Sequence, residues 1–160
     1  QTLDADIKVL EQQIVQSVRA DEAARRIMAI PGVGPITASA VRAAVLDMKQ
    51  FRSGRGFAAW LGLTPRQNNS AETRRSGGIS KMGQRDIRCL LILGASSHLR
   101  QEQIRKRMKG PTDPWLNGLL ARRPVRVAAV AQAAKTARII WALLAKDQCY
   151  RAPAYLQHAA

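Results

Sequence analysis

Three serines stand close to four cations between positions 64 and 83. The chain there reads Thr64, Pro65, Arg66, Gln67, Asn68, Asn69, Ser70, and after Glu72 and Thr73 runs on as Arg74, Arg75, Ser76, Gly77, Gly78, Ile79, Ser80, Lys81, Met82, Gly83. A serine hydroxyl attacks phosphorus when it is positioned and when cations hold the non-bridging oxygens. Arg66, Arg74, Arg75 and Lys81 are cations of that kind, and the arginine fork suits phosphate because it donates two parallel hydrogen bonds. Gly77, Gly78 and Gly83 let main chain approach a phosphate closely. Chemistry alone does not choose among Ser70, Ser76 and Ser80. Ser80 serves equally as the cap of a following helix and Ser76 as a turn residue. On the residues alone, plain phosphate binding is the simpler reading.

A second phosphate site is written upstream. Ile30, Pro31, Gly32, Val33, Gly34, Pro35 and Ile36 join two amphipathic segments through a Gly-x-Gly turn. Two glycines open backbone conformations closed to other residues. Successive N–H groups at the start of the second helix then form an anion site, aided by the helix dipole. Thr37 is positioned to add a hydroxyl donor, and Val33 to point inward and lock the helices together. The turn resembles the helix-hairpin-helix motif of DNA repair and recombination proteins, which grips the DNA backbone without reading sequence. A tight helix–helix turn with no ligand is the plain alternative.

The charge agrees with a polyanion partner. The net charge is +15. Residues 1–50 hold six basic and six acidic side chains, whereas residues 51–160 hold twenty basic and five acidic. The excess therefore lies wholly beyond residue 50, an asymmetry expected of a nucleic-acid-binding chain. A solvated basic surface or an acidic partner domain is the bland reading. Arg100, Arg105, Lys106, Arg107 and Lys109 form one basic run, and Arg122, Arg123 and Arg126 another. Either would supply phosphate contacts that carry no sequence information.

The elements that must position these groups read as helices. Apolar residues make up 46% of the chain, enough for a packed core. Leu3, Ile7, Leu10, Ile14 and Val18 form an a/d seam on a first helix, which continues an upstream coiled coil or packs on its own domain. Further helices are expected over Glu22–Ile30, over Ile36–Asp47 with Ala38, Val41, Ala44 and Val45 inward, and after Ser53 as cap with Phe57, Trp60 and Leu61. Residues 64–83 lack strand alternation and read as a loop. Helices then follow over Gln84–Arg100, from Thr112, Asp113 and Pro114, and from Pro124 to Lys146 with Val127, Val130, Ala131, Ala134, Ala137, Ile140, Trp141 and Leu144 inward. Cys89 is expected to be buried, and Trp115 and Trp141 to be packing residues. The fold class is all-α: a coiled-coil-like helix over 1–24, a helical domain over 25–148 containing the helix-hairpin-helix, and a tail over 149–160.

Metal chemistry is not written here. Glu72, Asp86, Glu102, Asp113 and Asp147 are scattered, Asp4 and Asp6 lie on a solvated face, and His98 and His158 have no partner at ligand spacing. Cys89 and Cys149 are too far apart for a metal knuckle. With no signal peptide and no uncharged apolar stretch of about 18 residues, a soluble, cytoplasmic chain with no membrane partner is expected.

The ordered set of motifs carries a more specific resemblance. It comprises the Ile30–Gly34 turn, then Phe51, Phe57, Ala58, Ala59, Trp60, Leu61, Gly62, Leu63, Thr64, Pro65 and Arg66, then Ser70, then Gly78 to Gly83 with Ile87 and Arg88. Together these resemble the C-terminal transposase domain of the Piv-like DEDD transposases, the insertion-sequence "one-ten" family, which includes the bridge-RNA-guided recombinases. The resemblance implies that Ser70 is the nucleophile that attacks a DNA phosphate. It implies that the metal-bound carboxylates, with magnesium, come from a RuvC-like domain outside this chain, of the same protomer or of another. It also implies DNA and a guide RNA as partners, a location with the bacterial nucleoid, and, with the residue 1–20 seam, a homo-oligomer. This fragment alone is then expected to be inactive. The rival readings are a non-catalytic helix-hairpin-helix module of a repair or junction-processing protein, and an oligomerisation domain whose charge serves an acidic partner.

Overall fold

The structure is a computed structural model that describes the main chain of residues 2–70 and 73–153, and their side chains apart from those of residues 2, 67–70 and 73–76. Its elements are α1 (Thr2–Ala20), α2 (Glu22–Met28), α3 (Pro35–Ala44), a single 3-10 turn (Met48–Gln50), α4 (Gly54–Trp60), β1 (Pro65–Ser70), β2 (Thr73–Ile79), α5 (Arg85–Arg107), α6 (Pro114–Arg122) and α7 (Val125–Ala145). The fold is predominantly helical, with one small two-stranded ribbon.

Capping side chains set the boundaries. The Asp21 carboxylate accepts the Ala23 and Ala24 N–H groups at 2.8 and 3.3 Å and starts α2. Its second oxygen takes the Arg42 guanidinium at 2.8 Å, tying α3 to the α1–α2 junction. The Arg42 hydrogen bond, with help from the two N–H groups, outweighs desolvation and lowers the Asp21 pKa. Ser53 accepts the Gly56 N–H at 3.2 Å at the start of α4, and Asp113 accepts the Trp115 and Leu116 N–H groups ahead of α6. Pro35 and Pro114 occupy first-turn positions where no N–H is required.

The core forms around α7, which packs on α4 and α5. Ala133 and Ala137 are fully buried and let α5 approach closely, and Ile140, Leu91, Phe57, Leu61, Ile27 and Val41 fill the space between. By length and composition α7 could cross a membrane, but Ala133, Ala137, Ile140 and Leu143 are buried in this core. Leu99, Leu116, Leu119 and Ala129 make a smaller cluster where α6 meets α5 and α7. Phe51, Phe57 and Trp60 cluster with centroids 5.1 to 5.8 Å apart, Phe57 stacked on Trp60 and Phe51 edge-on to Phe57, and the Trp141 indole donates to the Phe51 carbonyl at 3.0 Å.

Several expectations change. Residues 65–79 form an antiparallel ribbon, not a loop. The backbone ladder holds that ribbon, so apolar alternation is not needed. The third helix stops at Ala44, and Asp47 instead caps the 3-10 turn by accepting the Lys49 N–H. α5 continues to Arg107 and so takes in Arg105, Lys106 and Arg107. Cys89 is exposed because Arg88 occupies the inward position beside Ile87. The inward face of α7 is turned relative to the expected stripe. Val127 is 50% exposed, while Gln132, Ala133 and Thr136 are buried. Ala44 is exposed. Trp115 is 39% exposed, with the Lys135 ammonium 4.0 Å above its ring. Along α1, Leu3, Ile7 and Leu10 are exposed, Ile14 is half-buried and Val18 is buried, so only the end of the seam packs on this domain. The tail beyond residue 153, with His158, lies outside the described residues.

Candidate nucleic-acid interface

The α2–α3 turn has two glycines with different jobs. Gly32 has φ +84°, and a Cβ there would stand 2.6 Å from the Gly94 carbonyl oxygen of α5. A Cβ on Gly94 would stand 1.9 Å from the Gly32 oxygen. This pair is a backbone-to-backbone contact between the turn and α5. Gly34 is different, because a Cβ there would meet nothing within 4 Å. Gly34 is the N-cap of α3 and has no side chain to cap it, so the Ile36 and Thr37 N–H groups lack intrahelical partners. Val33 is buried in the core, as the turn requires, and Ile36 is exposed. Thr37 is only 5% exposed, so its hydroxyl is turned into the packing and is poorly placed as a phosphate donor.

The second motif is a clamp from which the ribbon rises. Gly62 (φ +72°) and Gly83 (φ +88°) sit where a Cβ would lie 2.1 Å from the Met82 oxygen and 2.0 Å from the Trp60 oxygen, respectively. Leu63 N–H donates to Ala58, Ser80 N–H to Thr64, Lys81 N–H to Gly62 and Gln84 N–H to Trp60. Arg88, 7% exposed, donates through Nη1 to the Leu61 carbonyl at 2.9 Å. Arg66 braces the two feet by donating to the Ser80 carbonyl at 3.0 Å. Gly83 therefore serves close packing against α4, not a phosphate. Ser80 belongs to the clamp and does not cap α5, whose N-cap is Gln84.

Above the clamp the ribbon pairs Pro65 with Ile79, Gln67 with Ser76, Asn68 with Arg75, Asn69 with Arg74 and Ser70 with Thr73, with a bulge between Pro65 and Gln67. Ser70 is the last residue of β1, about 16 Å from Pro65 at the usual strand rise. The main chain of Arg74 and Arg75 is one and two rungs from Ser70. The side chains of Ser70, Arg74, Arg75 and Ser76 lie outside the described residues.

A groove of about 860 Å³ opens at the foot of the ribbon, between it and α4, α6 and α7. Its floor is apolar, with Ala58, Val127, Val130 and Ala134, and its cations are Arg55, Lys81, Arg126 and Arg138. Among the described residues none of these four makes an ion pair. An apolar floor with unpaired cations suits a nucleic-acid strand, whose charge lies on its backbone and whose bases are flat and weakly polar. Gly77 and Gly78 also line it, and Gly78 is open to solvent. Sequence reasoning named Lys81 and Arg126 but missed Arg55 and Arg138. These two are isolated in the chain. The signal that would have found Arg138 is the row Arg126, Val130, Ala134 and Arg138, spaced four apart along α7. Arg100, Lys106, Arg107, Lys109, Arg122 and Arg123 are exposed but do not line this groove. Among the described residues no three His, Cys, Asp or Glu side chains come together to hold a metal ion, so these residues do not fit a two-metal centre.

Residues 24–109 match the family model described as "Transposase IS116/IS110/IS902 family". The chain is 50% identical over 155 residues to a "probable family 20 transposase" of Pseudomonas aeruginosa, covering 94% of this chain and 44% of that protein. It is 42% identical to "putative transposase y4pF/y4sB" of Sinorhizobium fredii over 149 residues, which is 93% of this chain and 38% of the relative. It is 41% identical to the "transposase for insertion sequence element IS1111A" of Coxiella burnetii over 151 residues, covering 92% and 40%. The chain thus spans about two fifths of the length of these relatives. The matched segment runs from α2 through the helical hairpin, the clamp, the ribbon and α5, and the chain belongs to the IS116/IS110/IS902 family of transposases.

Proposed function

We propose that this chain is the DNA-binding and serine-nucleophile part of a transposase that moves an insertion sequence by cutting and rejoining strands. The observation that carries this reading is the clamped ribbon. It bears Ser70 at the end of β1 and rises from the foot of a groove with four unpaired cations. In the reaction the Ser70 Oγ forms a bond to phosphorus as the bond from phosphorus to the leaving strand's oxygen breaks. The resulting phosphoserine link keeps the strand ready for a second hydroxyl to rejoin it. Arg66, Lys81 and the cations of the groove hold the backbone, with Arg74 and Arg75 assigned to the reacting phosphate. In the Gly32, Val33, Gly34, Ile36 and Thr37 turn, the N–H groups of Gly34, Ile36 and Thr37 are assigned to a second phosphate, while the Val33 N–H is held by the Ile30 carbonyl. The carboxylates and magnesium of the reaction belong to a RuvC-like domain, consistent with the scattered acids of this chain. A guide RNA would be held by the same non-specific phosphate contacts. The exposed Leu3, Ile7 and Leu10 row supports pairing of protomers through α1.

Ser70→Ala in the full-length protein tests the nucleophile. Strand exchange on the element's own DNA should fall by at least about a thousandfold, while duplex binding stays within a factor of about two. Retained exchange would leave the chain as a non-catalytic binding module and move the search to Ser76 and Ser80.

A further inference from the structure

Beside the α2–α3 turn lies a cavity of about 670 Å³ between α5, α7 and the stretch Gln148–Pro153. Two residues that line it, His98 and Gln132, 4% and 6% exposed, each hold a buried polar atom without a partner, His98 Nδ1 and Gln132 Oε1. Native interiors rarely leave such atoms unsatisfied, and two on residues that line one cavity point to something that binds there. The surrounding charges are already spent on one another. Asp113 faces Lys135 at 3.5 Å, Lys135 covers the Trp115 ring, and Glu102 takes Arg105 and the Asp113 N–H. Burial, the largest effect, lowers the His98 pKa and favours the neutral ring, with Arg105 and Lys135 acting in the same direction and Glu102 and Asp113 against it. The inner end of the cavity thus offers hydrogen bonds but no net charge, which excludes a phosphate as the guest. Ile30, Pro31, Ile139 and Leu143 give it apolar walls, Tyr150 an aromatic one, and Arg151 places a cation beside it.

We propose that this cavity receives a nucleobase, its polar edge hydrogen-bonded to Gln132 Oε1 and His98 Nδ1 and its faces against the apolar walls. A base matches the site because it is planar, neutral and apolar on its faces, and its edge carries N–H donors for the glutamine oxygen. The volume is in the range of ligand sites and holds a whole nucleoside. The location favours the source. Ile30 and Pro31 belong to the turn proposed to hold a backbone phosphate, and a Cβ on Gly32 would touch His98 Cβ at 3.4 Å. A strand gripped at the turn therefore has the cavity beside it for an unstacked base. A free nucleoside would use the same contacts. The strand source rests on the DNA-binding reading, whereas the nucleobase chemistry does not.

Two titrations of the full chain test this. Each of the four nucleosides is added while the His98 ring nitrogens are followed by NMR, and duplexes carrying 2-aminopurine are added while its fluorescence is followed. A saturable His98 shift with at least one nucleoside and brightened 2-aminopurine are expected. Gln132→Leu and the cavity-filling Ile139→Trp should each weaken both responses at least tenfold with duplex affinity at low salt unchanged, and Ile139→Trp leaves the polar atoms in place should Gln132→Leu fail to fold. A nucleoside shift without DNA binding keeps the cavity's ligand class and sinks the DNA reading. Brightening that Ile139→Trp abolishes, with no nucleoside shift, assigns the site to a base of the bound strand alone. No shift and no brightening while duplexes still bind would overturn the proposal and leave the cavity to ordered water.

Discussion

The helical turn at residues 29–34 and the clamp at the foot of the ribbon both depend on glycines, yet they use them differently. In the turn, Gly32 is consumed by contact with Gly94, and Gly34 is left open at the start of α3. In the clamp, Gly62 and Gly83 are both consumed, each against a carbonyl on the opposite strand of the crossing. The turn is thus half packing and half open surface, while the clamp is all packing. What the clamp offers to a ligand is what it holds up, the ribbon and the groove cations. A glycine-rich motif is therefore no guide to where the ligand sits until its contacts are known.

The sharpest way to break this comparison is to add a methyl group to each region. Gly83→Ala puts a Cβ against the Trp60 carbonyl at a positive φ, and should lower stability by more than about 2 kcal/mol in urea unfolding. Gly34→Ala meets nothing and should change stability by less than about 0.5 kcal/mol while still permitting a test of DNA affinity. If the two variants unfold alike, the distinction is wrong.

Removing the buried guanidinium of Arg88 comes next. Arg88→Met fills similar space but leaves the Leu61 carbonyl without its donor, at a cost of about 1–3 kcal/mol. Proteolysis should then cut the 61–84 segment before the rest of the chain, because the clamp and not the core is what loosens.

The smallest effect belongs to the junction that orients the helical turn. Asp21→Ala removes the α2 cap and the Arg42 contact, and should cost about 1 kcal/mol. The Asp21 pKa is lowered in the folded chain, so its contribution is fully present above pH 3.8 and fades as pH falls through the folded value below that. Wild type and Asp21→Ala should accordingly converge in stability under strong acid, as followed by circular dichroism.

Much of this was legible in the sequence where local rules decide. Ser53 and Asp113 announce helix starts, Pro31 and Gly32 end α2, and Val33 between two glycines marks an inward anchor. The ribbon was not legible, because residues 65–79 show no apolar alternation and their ladder is held from below by Gly62, Gly83 and Arg88, residues distant from one another's local signals. The turned face of α7 was hidden because alanines pack closely against α5, while the larger Val127 is left to line the groove. The groove itself depends on Arg55 and Arg138 being brought together by tertiary packing, as does the His98 and Gln132 pair on two helices. Spacing in the chain foretells neither.

The central claim is that this chain holds nucleic acid by its backbone, and duplex affinity against salt tests it most directly. With at least four phosphate contacts, affinity should fall on the order of a hundredfold between about 50 and 200 mM salt. Replacing Arg55, Arg126 or Arg138 by Gln should each reduce the slope of log affinity against log salt by about one. An affinity that barely changes with salt, or a slope untouched by all three replacements, would contradict the account.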